Sequence, residues 1–269
     1  MQIELEEKTE IIKEKDATDI FVIILKDLTK KNFKILGEYE HEWVGNAVKS
    51  YNTTTIDYDG SVDVKQLIKP ILTNAHFTVV LFSNTPLLTQ ETMRDIVEYI
   101  TVKNTNACKL PSGYVFKTIY LKNAFEIIFD SFYMKNEQDF YEVESISDLH
   151  FVCDTLQKRI FDYHSENDVE ILHPKNTYIE RGVSIEKYTV IHGGVVLKGN
   201  CRIGKNCEID EFSKITNSKI ANNVRISNAE IEDSVIFENC RVLPYSFISN
   251  CVIEKNSTIL PHSHLTKKN

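Results

Sequence analysis

The chain has 269 residues, 42% hydrophobic and 26% charged, as expected of one or two globular domains. Its net charge of −8 and isoelectric point near 5.6 argue against nucleic acid as a partner, which selects clustered Lys and Arg. No apolar run approaches the roughly 20 residues of a membrane span. The Glu- and Lys-dense start, Met1 to Asp19, lacks the apolar core of a signal peptide, so a cytoplasmic protein is expected.

In chain order, residues 1–17 read as a charged N-terminal tail or an edge strand. Ile20 to Leu25 is a β-branched apolar run suited to a buried strand. Phe33 to Leu36 is extended or part of a loop, and Glu42 to Tyr51 reads as a helix with Trp43, Ala47 and Val48 on one side. Thr53 to Asp57 is a strand, and Val64, Leu67, Ile68 and Ile71 give Val62 to Leu72 helical spacing. Phe77 to Phe82 is the strongest strand of this half. Thr89 then opens a helix with Glu91 in its first turn, running to about Ile100. Gly113 to Leu121 reads as a strand, Ala124 to Phe132 as a helix and Ile146 to Tyr163 as a longer helix. Strands alternating with helices predict an α/β domain over 18–165 with a largely parallel sheet. Ligands in such sheets sit beyond the carboxyl ends of strands, which directs attention to Ser83-Asn84-Thr85-Pro86-Leu87.

Over 166–269 the pattern changes. From Ile179 to Leu265, sixteen aliphatic residues recur at spacings of six, with occasional fives, and two positions before each stands a small or β-branched residue. A helical or alternating period does not explain this rule; a parallel β-helix of hexapeptide repeats does, with about five coils. Gly182, Gly194, Asn200, Asn206, Asn223, Asn239 and Asn256 fall three residues after an aliphatic position, where left-handed corners are expected. Of the six cysteines, Cys201, Cys207, Cys240 and Cys251 share the small position with Ser, Thr and Val. They therefore read as small interior side chains, and no C-x-x-C pair supports a zinc site.

Several stretches resemble the N-acetylglucosamine-1-phosphate uridylyltransferases, whose C-terminal half is also a glucosamine-1-phosphate acetyltransferase. Phe33-Lys34-Ile35-Leu36 is similar to that family's P-K-V-L, Asp59-Gly60-Ser61 to its L-G-T, and Ser83 to Leu88 to its G-D-T-P-L-L. Thr177 to Glu180 and Val195 to Asn200 look like its domain junction. The resemblance implies a reduced, nucleotidyltransferase-like (Rossmann-like) α/β domain joined to a left-handed β-helix that assembles as a homotrimer. It places Lys34 at the phosphate-binding lysine, Gly60, Ser61, Asn84 and Thr85 in substrate binding, and Asn84, Ser147 and Asp148 at the positions around Mg²⁺.

The chain departs from this pattern at two places. The family's glycine-rich loop is replaced by Lys26-Asp27-Leu28-Thr29-Lys30-Lys31-Asn32, with no glycine or arginine, whereas a phosphate cradle needs closely packed backbone N–H groups. The family's metal-binding aspartate corresponds to Asn84, although Mg²⁺ on a polyphosphate is usually held by at least one carboxylate.

Two classes of function follow. One is a pseudoenzyme or binding subunit of amino-sugar nucleotide metabolism that holds a sugar phosphate or uridine nucleotide. The other is an active Mg²⁺-dependent sugar-1-phosphate nucleotidyltransferase using Lys34, Asn84 and Asp148. A hexapeptide acyltransferase is a third reading, with His192, His262 and His264 as candidate bases. Solvent exposure explains His192, and capping of the last coil explains the other two.

Overall fold

The computed structural model describes residues 19–130 and 137–267, so the charged N-terminal segment lies outside the described residues. The chain forms two compact units, Met1–Val152 and Cys153–Asn269. The division falls inside the helix Ile146–Glu166.

The first unit is built on a five-stranded sheet. Its elements include β1 (Ile20–Asp27), a small hairpin of β2 (Lys34–Ile35) and β3 (Glu38–Tyr39), β4 (Asn52–Tyr58), β5 (Phe77–Phe82), β6 (Ala107–Leu110) and β7 (Gly113–Lys117). The sheet order is β4-β1-β5-β7-β6. The unbroken apolar run of β1 is buried from Ile20 to Leu25 because it lies between two layers. Ile20, Val22 and Ile24 join a cluster that includes Val44, Val48, Met93 and Ile96, whereas Phe21, Ile23 and Leu25 face Ile68 and Leu121. Alternation along the strand sends successive side chains to opposite faces.

The sheet is mixed, not largely parallel. β4, β1 and β5 run parallel, but β7 is antiparallel to both β5 and β6. The cause is the tight connection between β6 and β7, since a two-residue turn can join only antiparallel strands. Gly113 permits the close approach, because a Cβ there would stand 2.3 Å from the Val80 carbonyl oxygen. The strand expected to reach Leu121 ends at Lys117, and Thr118–Asn123 is a short helix. The helix expected over 124–132 is not formed in its described part. Ala124 is extended (ψ 131°), and the Asp130 N–H donates to the Ala107 carbonyl at 2.8 Å, extending the sheet edge. Residues 131 and 132 lie outside the described residues.

The second unit is the β-helix. Its short parallel strands stack in three sheets of five, six and six strands. The aliphatic positions lie in register, as in Ile191 on Ile209 on Ile226 on Val242, and make one continuous core. Inside, the small residues bond neighbouring coils: Thr189 Oγ1 donates to the Gly204 carbonyl at 2.7 Å and accepts from Cys207 N at 3.0 Å, and Cys240 Sγ reaches the Glu254 carbonyl at 3.0 Å. A short polar or thiol side chain fits there because the corner carbonyls need donors in a dry interior. Burial pushes the Cys201 and Cys207 thiols up. Ile160 and Phe161 of the long helix pack on this core, and Gln157 Nε2 donates to the Ile179 carbonyl at 3.1 Å.

Of the seven expected left-handed corners, Gly194, Asn206, Asn223, Asn239 and Asn256 have positive φ, while Gly182 and Asn200 do not. At the Asn200 corner it is Gly199 (φ 65°) that turns, as Asn217, Asp233 and Asn250 do in the coils above. Asn206, Asn223, Asn239 and Asn256 form a side-chain amide ladder with steps of 3.3, 3.2 and 3.0 Å along one corner.

Candidate functional site

β1, β4 and β5 are parallel neighbours, so the segments leaving their carboxyl ends emerge along one edge of the sheet. The segment after β1 is a tight polar turn. Asp27 Oδ1 accepts from Thr29 N at 2.9 Å and Thr29 Oγ1 at 2.6 Å, and Leu28 N donates to the Tyr58 carbonyl at 2.7 Å. After β4, Asp59 Oδ1 likewise accepts from Ser61 N at 2.9 Å and Ser61 Oγ at 2.6 Å, which holds the Asp59 carboxyl below the usual range. Gly60 (φ 76°) occupies this exposed turn beside Thr29.

After β5 the chain is buried. Ser83, Asn84 and Thr85 are nearly inaccessible. Thr85 Oγ1 donates back to the Phe82 carbonyl at 3.0 Å, and Thr89 caps the helix Gln90–Lys103. Asn84 Nδ2 donates to Glu142 Oε2 at 3.0 Å, while its backbone carbonyl accepts from Val143 N at 2.9 Å. Lys30, from the turn after β1, reaches the same carboxylate oxygen at 3.3 Å and Glu144 Oε1 at 2.6 Å. Burial raises the Glu142 carboxyl, but the neighbouring donors, Asn84 among them, and the Lys30 cation outweigh it and leave it below the ordinary value. Burial works against the Lys30 ammonium, yet its bonds to Glu144 and Glu142 leave it above the ordinary value. The site is therefore a buried amide bonded to a half-buried carboxylate, which an exposed ammonium pairs with from the surface.

The other expected residues stand around this set. Lys34 lies exposed in β2, its backbone paired with Tyr39; among the described residues it takes no part in the Asn84 network. Its hairpin is anchored by Trp43 Nε1, which donates to the Ile35 carbonyl at 2.9 Å. Ser147 is exposed in the first turn of the long helix. The Asp148 carboxylate accepts from Tyr141 Oη at 2.8 Å, Ser145 N at 2.8 Å, Ser145 Oγ at 2.7 Å and Glu144 N at 3.2 Å. With Asp148 N bonded to Ser145 Oγ at 3.2 Å, this is a reciprocal cap of the helix start. Its carboxyl is correspondingly held below the usual range, first by Ser145.

Sequence reasoning missed Glu142 and Glu144 and the pairing of Lys30 with them. The Ser145-Ile-Ser-Asp148 spacing could have revealed Asp148 as a cap. Nothing local links Lys30 to Glu142, because that contact spans 112 positions.

Residues 210–268 match the family described as GlmU-like, C-terminal hexapeptide. Over 165 residues the chain is 32% identical to the bifunctional protein GlmU of Alkaliphilus metalliredigens, covering 55% of this chain and 36% of that protein. The GlmU of Clostridioides difficile is 42% identical over 93 residues, 35% of this chain and 20% of the relative. With the Enterococcus faecalis protein the match is 28% over 259 residues, covering 68% of this chain and 57% of that protein. The chain thus spans between a fifth and somewhat over half of these relatives. Among solved structures, a mutant GDP-perosamine N-acetyl transferase from Caulobacter crescentus covers 91% of this chain at 9% identity, with a TM-score of 0.20 that supports no further argument.

Proposed function

Taking the chain as a partial relative of the GlmU proteins, we propose that it is a nucleotidyltransferase-like protein of UDP-N-acetylglucosamine type whose α/β unit no longer turns over. It serves as a binding or regulatory subunit in amino-sugar nucleotide metabolism, in the cytoplasm, and assembles as a homotrimer through the β-helix. The observation that carries this reading is the Lys30–Glu142–Asn84 set.

Mg²⁺ bound to a triphosphate needs oxygen ligands with at least one free carboxylate. The residues here do not fit it. Asn84 is neutral and committed to Glu142, Glu142 Oε2 is engaged by both Asn84 and Lys30, and Asp148 is occupied in capping. The turn at 27–30 offers no glycine whose N–H could approach a phosphate. Without metal or cradle, the electrostatic stabilisation on which phosphoryl-group transfer depends is missing. A uridine or sugar moiety can still be held by the Asp59-Gly60-Ser61 turn, which contacts no phosphate in this reading.

One observation favours a second reading, an active Mg²⁺-dependent enzyme. The Glu142 carboxylate lies 3.0 Å from Asn84 and could supply the missing charge if Lys30 withdrew. In that case Lys34→Ala abolishes turnover.

The test is a thermal-shift titration with UTP, UDP-N-acetylglucosamine and acetyl-CoA, each with and without Mg²⁺, alongside a pyrophosphate-release assay. Ligand at 100 times its dissociation constant adds about 2.7 kcal/mol of stability. We expect a shift with the uridine compounds that Mg²⁺ does not enhance, and no pyrophosphate release from wild type or Asn84→Asp. Release of pyrophosphate would overturn the loss of turnover; a flat response to the uridine compounds would overturn the binding role.

A further inference from the structure

His192 lies on the outside of the β-helix, just after the strand Val190–Ile191, and its N–H donates to the Ile209 carbonyl of the next coil at 3.0 Å. Its ring is bracketed by carboxylates on both nitrogens. Nδ1 is 3.3 Å from Glu211 Oε1, while Nε2 is 3.5 Å from Glu208 Oε1 and 3.9 Å from Asp210 Oδ1.

The remaining oxygens of Glu208 and Asp210 are held from the coil beyond. Arg225 Nη1 is 3.1 Å from Glu208 Oε2, Arg225 Nη2 is 3.3 Å from Asp210 Oδ2, and Ser227 Oγ donates to that oxygen at 2.5 Å. These contacts leave Oε1 and Oδ1 directed at the imidazole. Asp210 Oδ1 is moreover buried and has no hydrogen-bond donor. Buried carboxylate oxygens without a donor are costly unless a cation meets them. In the tautomer that gives Nδ1–H to Glu211, the Nε2 lone pair also faces these oxygens, an arrangement relieved by a cation at that point, either a proton on Nε2 or a metal ion.

We propose that His192 Nε2, Glu208 Oε1 and Asp210 Oδ1 form a binding site for a first-row transition-metal dication of the Zn²⁺ class. Metal–ligand bonds of about 2.0–2.2 Å in a tetrahedron put neighbouring ligands roughly 3.3–3.6 Å apart. The 3.5 and 3.9 Å gaps to the imidazole need only a small contraction, and one ligand atom from each of the three residues lies within 4.8 Å of the others, so the two carboxylates would draw together as the ion enters. The mixed imidazole and carboxylate set favours Zn²⁺ over Mg²⁺ or Ca²⁺, which take oxygen ligands. Glu211 is the outer carboxylate that fixes the tautomer of a metal-bound histidine, and Arg225 and Ser227 orient the two acids. Because His192 comes from one coil and its partners from the next, the ion ties adjacent coils together, and the fourth coordination position stays open. This site is independent of the α/β unit and of the reading given for it.

The test uses the full chain, stripped with a chelator and titrated with Zn²⁺ by calorimetry, with melting temperature and the visible d–d band of bound Co²⁺ as further readouts. We expect one Zn²⁺ per chain, a higher melting temperature and no response to Mg²⁺. His192→Ala and Asp210→Asn each weaken Zn²⁺ binding at least about tenfold and change the Co²⁺ band, and Glu211→Gln, which leaves the ligands in place, weakens it by about the same order. Absence of Zn²⁺ binding by wild type at about 100 µM, or unchanged affinity in the variants that fold, would overturn the proposal.

Discussion

Glu40 opens the helix Glu40–Ala47 and is only 3% exposed, with Oε1 buried and without a hydrogen-bond partner. Burial raises its carboxyl to about 7, against the smaller opposing effects of the Phe33 backbone and the Lys30 cation. In the unfolded chain the same group titrates near 4.5. Between those values the folded state binds more protons, so the stability linked to Glu40 is whole below about 4.5 and is lost as the pH rises through about 7. At roughly 1.4 kcal/mol per pH unit, the displacement amounts to about 3 kcal/mol in order of magnitude. Gln in place of Glu removes the titration while nearly keeping the shape. Glu40→Gln should therefore match wild type near pH 4.5 and exceed it by up to about 3 kcal/mol at pH 8. Trp43, the only tryptophan, lies in the same helix, so its fluorescence during urea unfolding at a series of pH values reports on this unit. A wild-type stability that is flat from pH 5 to 8, or a Gln variant with the wild-type slope, would refute the argument.

Two further perturbations probe the β-helix. Gly199→Ala places a Cβ 1.9 Å from Asn217 Oδ1 at a residue with φ 65°, so it should destabilise by about 1–3 kcal/mol, and Asn217→Gly in the same chain should relieve part of that loss in thermal melts. Ile231→Ala removes a fully buried side chain from the coil interior and should cost about 2–5 kcal/mol, read as a lower urea midpoint; a cost under about 1 kcal/mol would mean that the coils close over the gap.

The β-helix was legible because its physics is local. Each aliphatic residue must enter the coil, each small residue must fit beside it, and the spacing recurs wherever one hexad stacks on the last. Ile179 to Leu265 could therefore be placed in the interior without coordinates, and the structure puts those positions in or against one core. The same holds for β1 and β5, whose almost wholly apolar runs require cover on both faces. Corner chemistry was legible to within one position: Asn200 marks the bend, but the residue that takes the left-handed backbone is Gly199, as Asn217 does in the coil stacked on it.

What tertiary structure alone decided is pairing across long separations. The direction of β7 follows from a hairpin whose first strand, β6, the sequence pattern left unassigned. The side-chain partner of Asn84 lies 58 positions later, and Lys30 meets Glu142 only because both segments converge at one edge of the sheet. On the β-helix, His192 reads in one dimension as a solvated histidine. The eighteen-residue coil step sets it beside Asp210, and the next coil supplies the Arg225 and Ser227 that orient the acids toward it. Periodicity determines which residues face inward, whereas the chemistry of an outer face depends on which coil lies next to it.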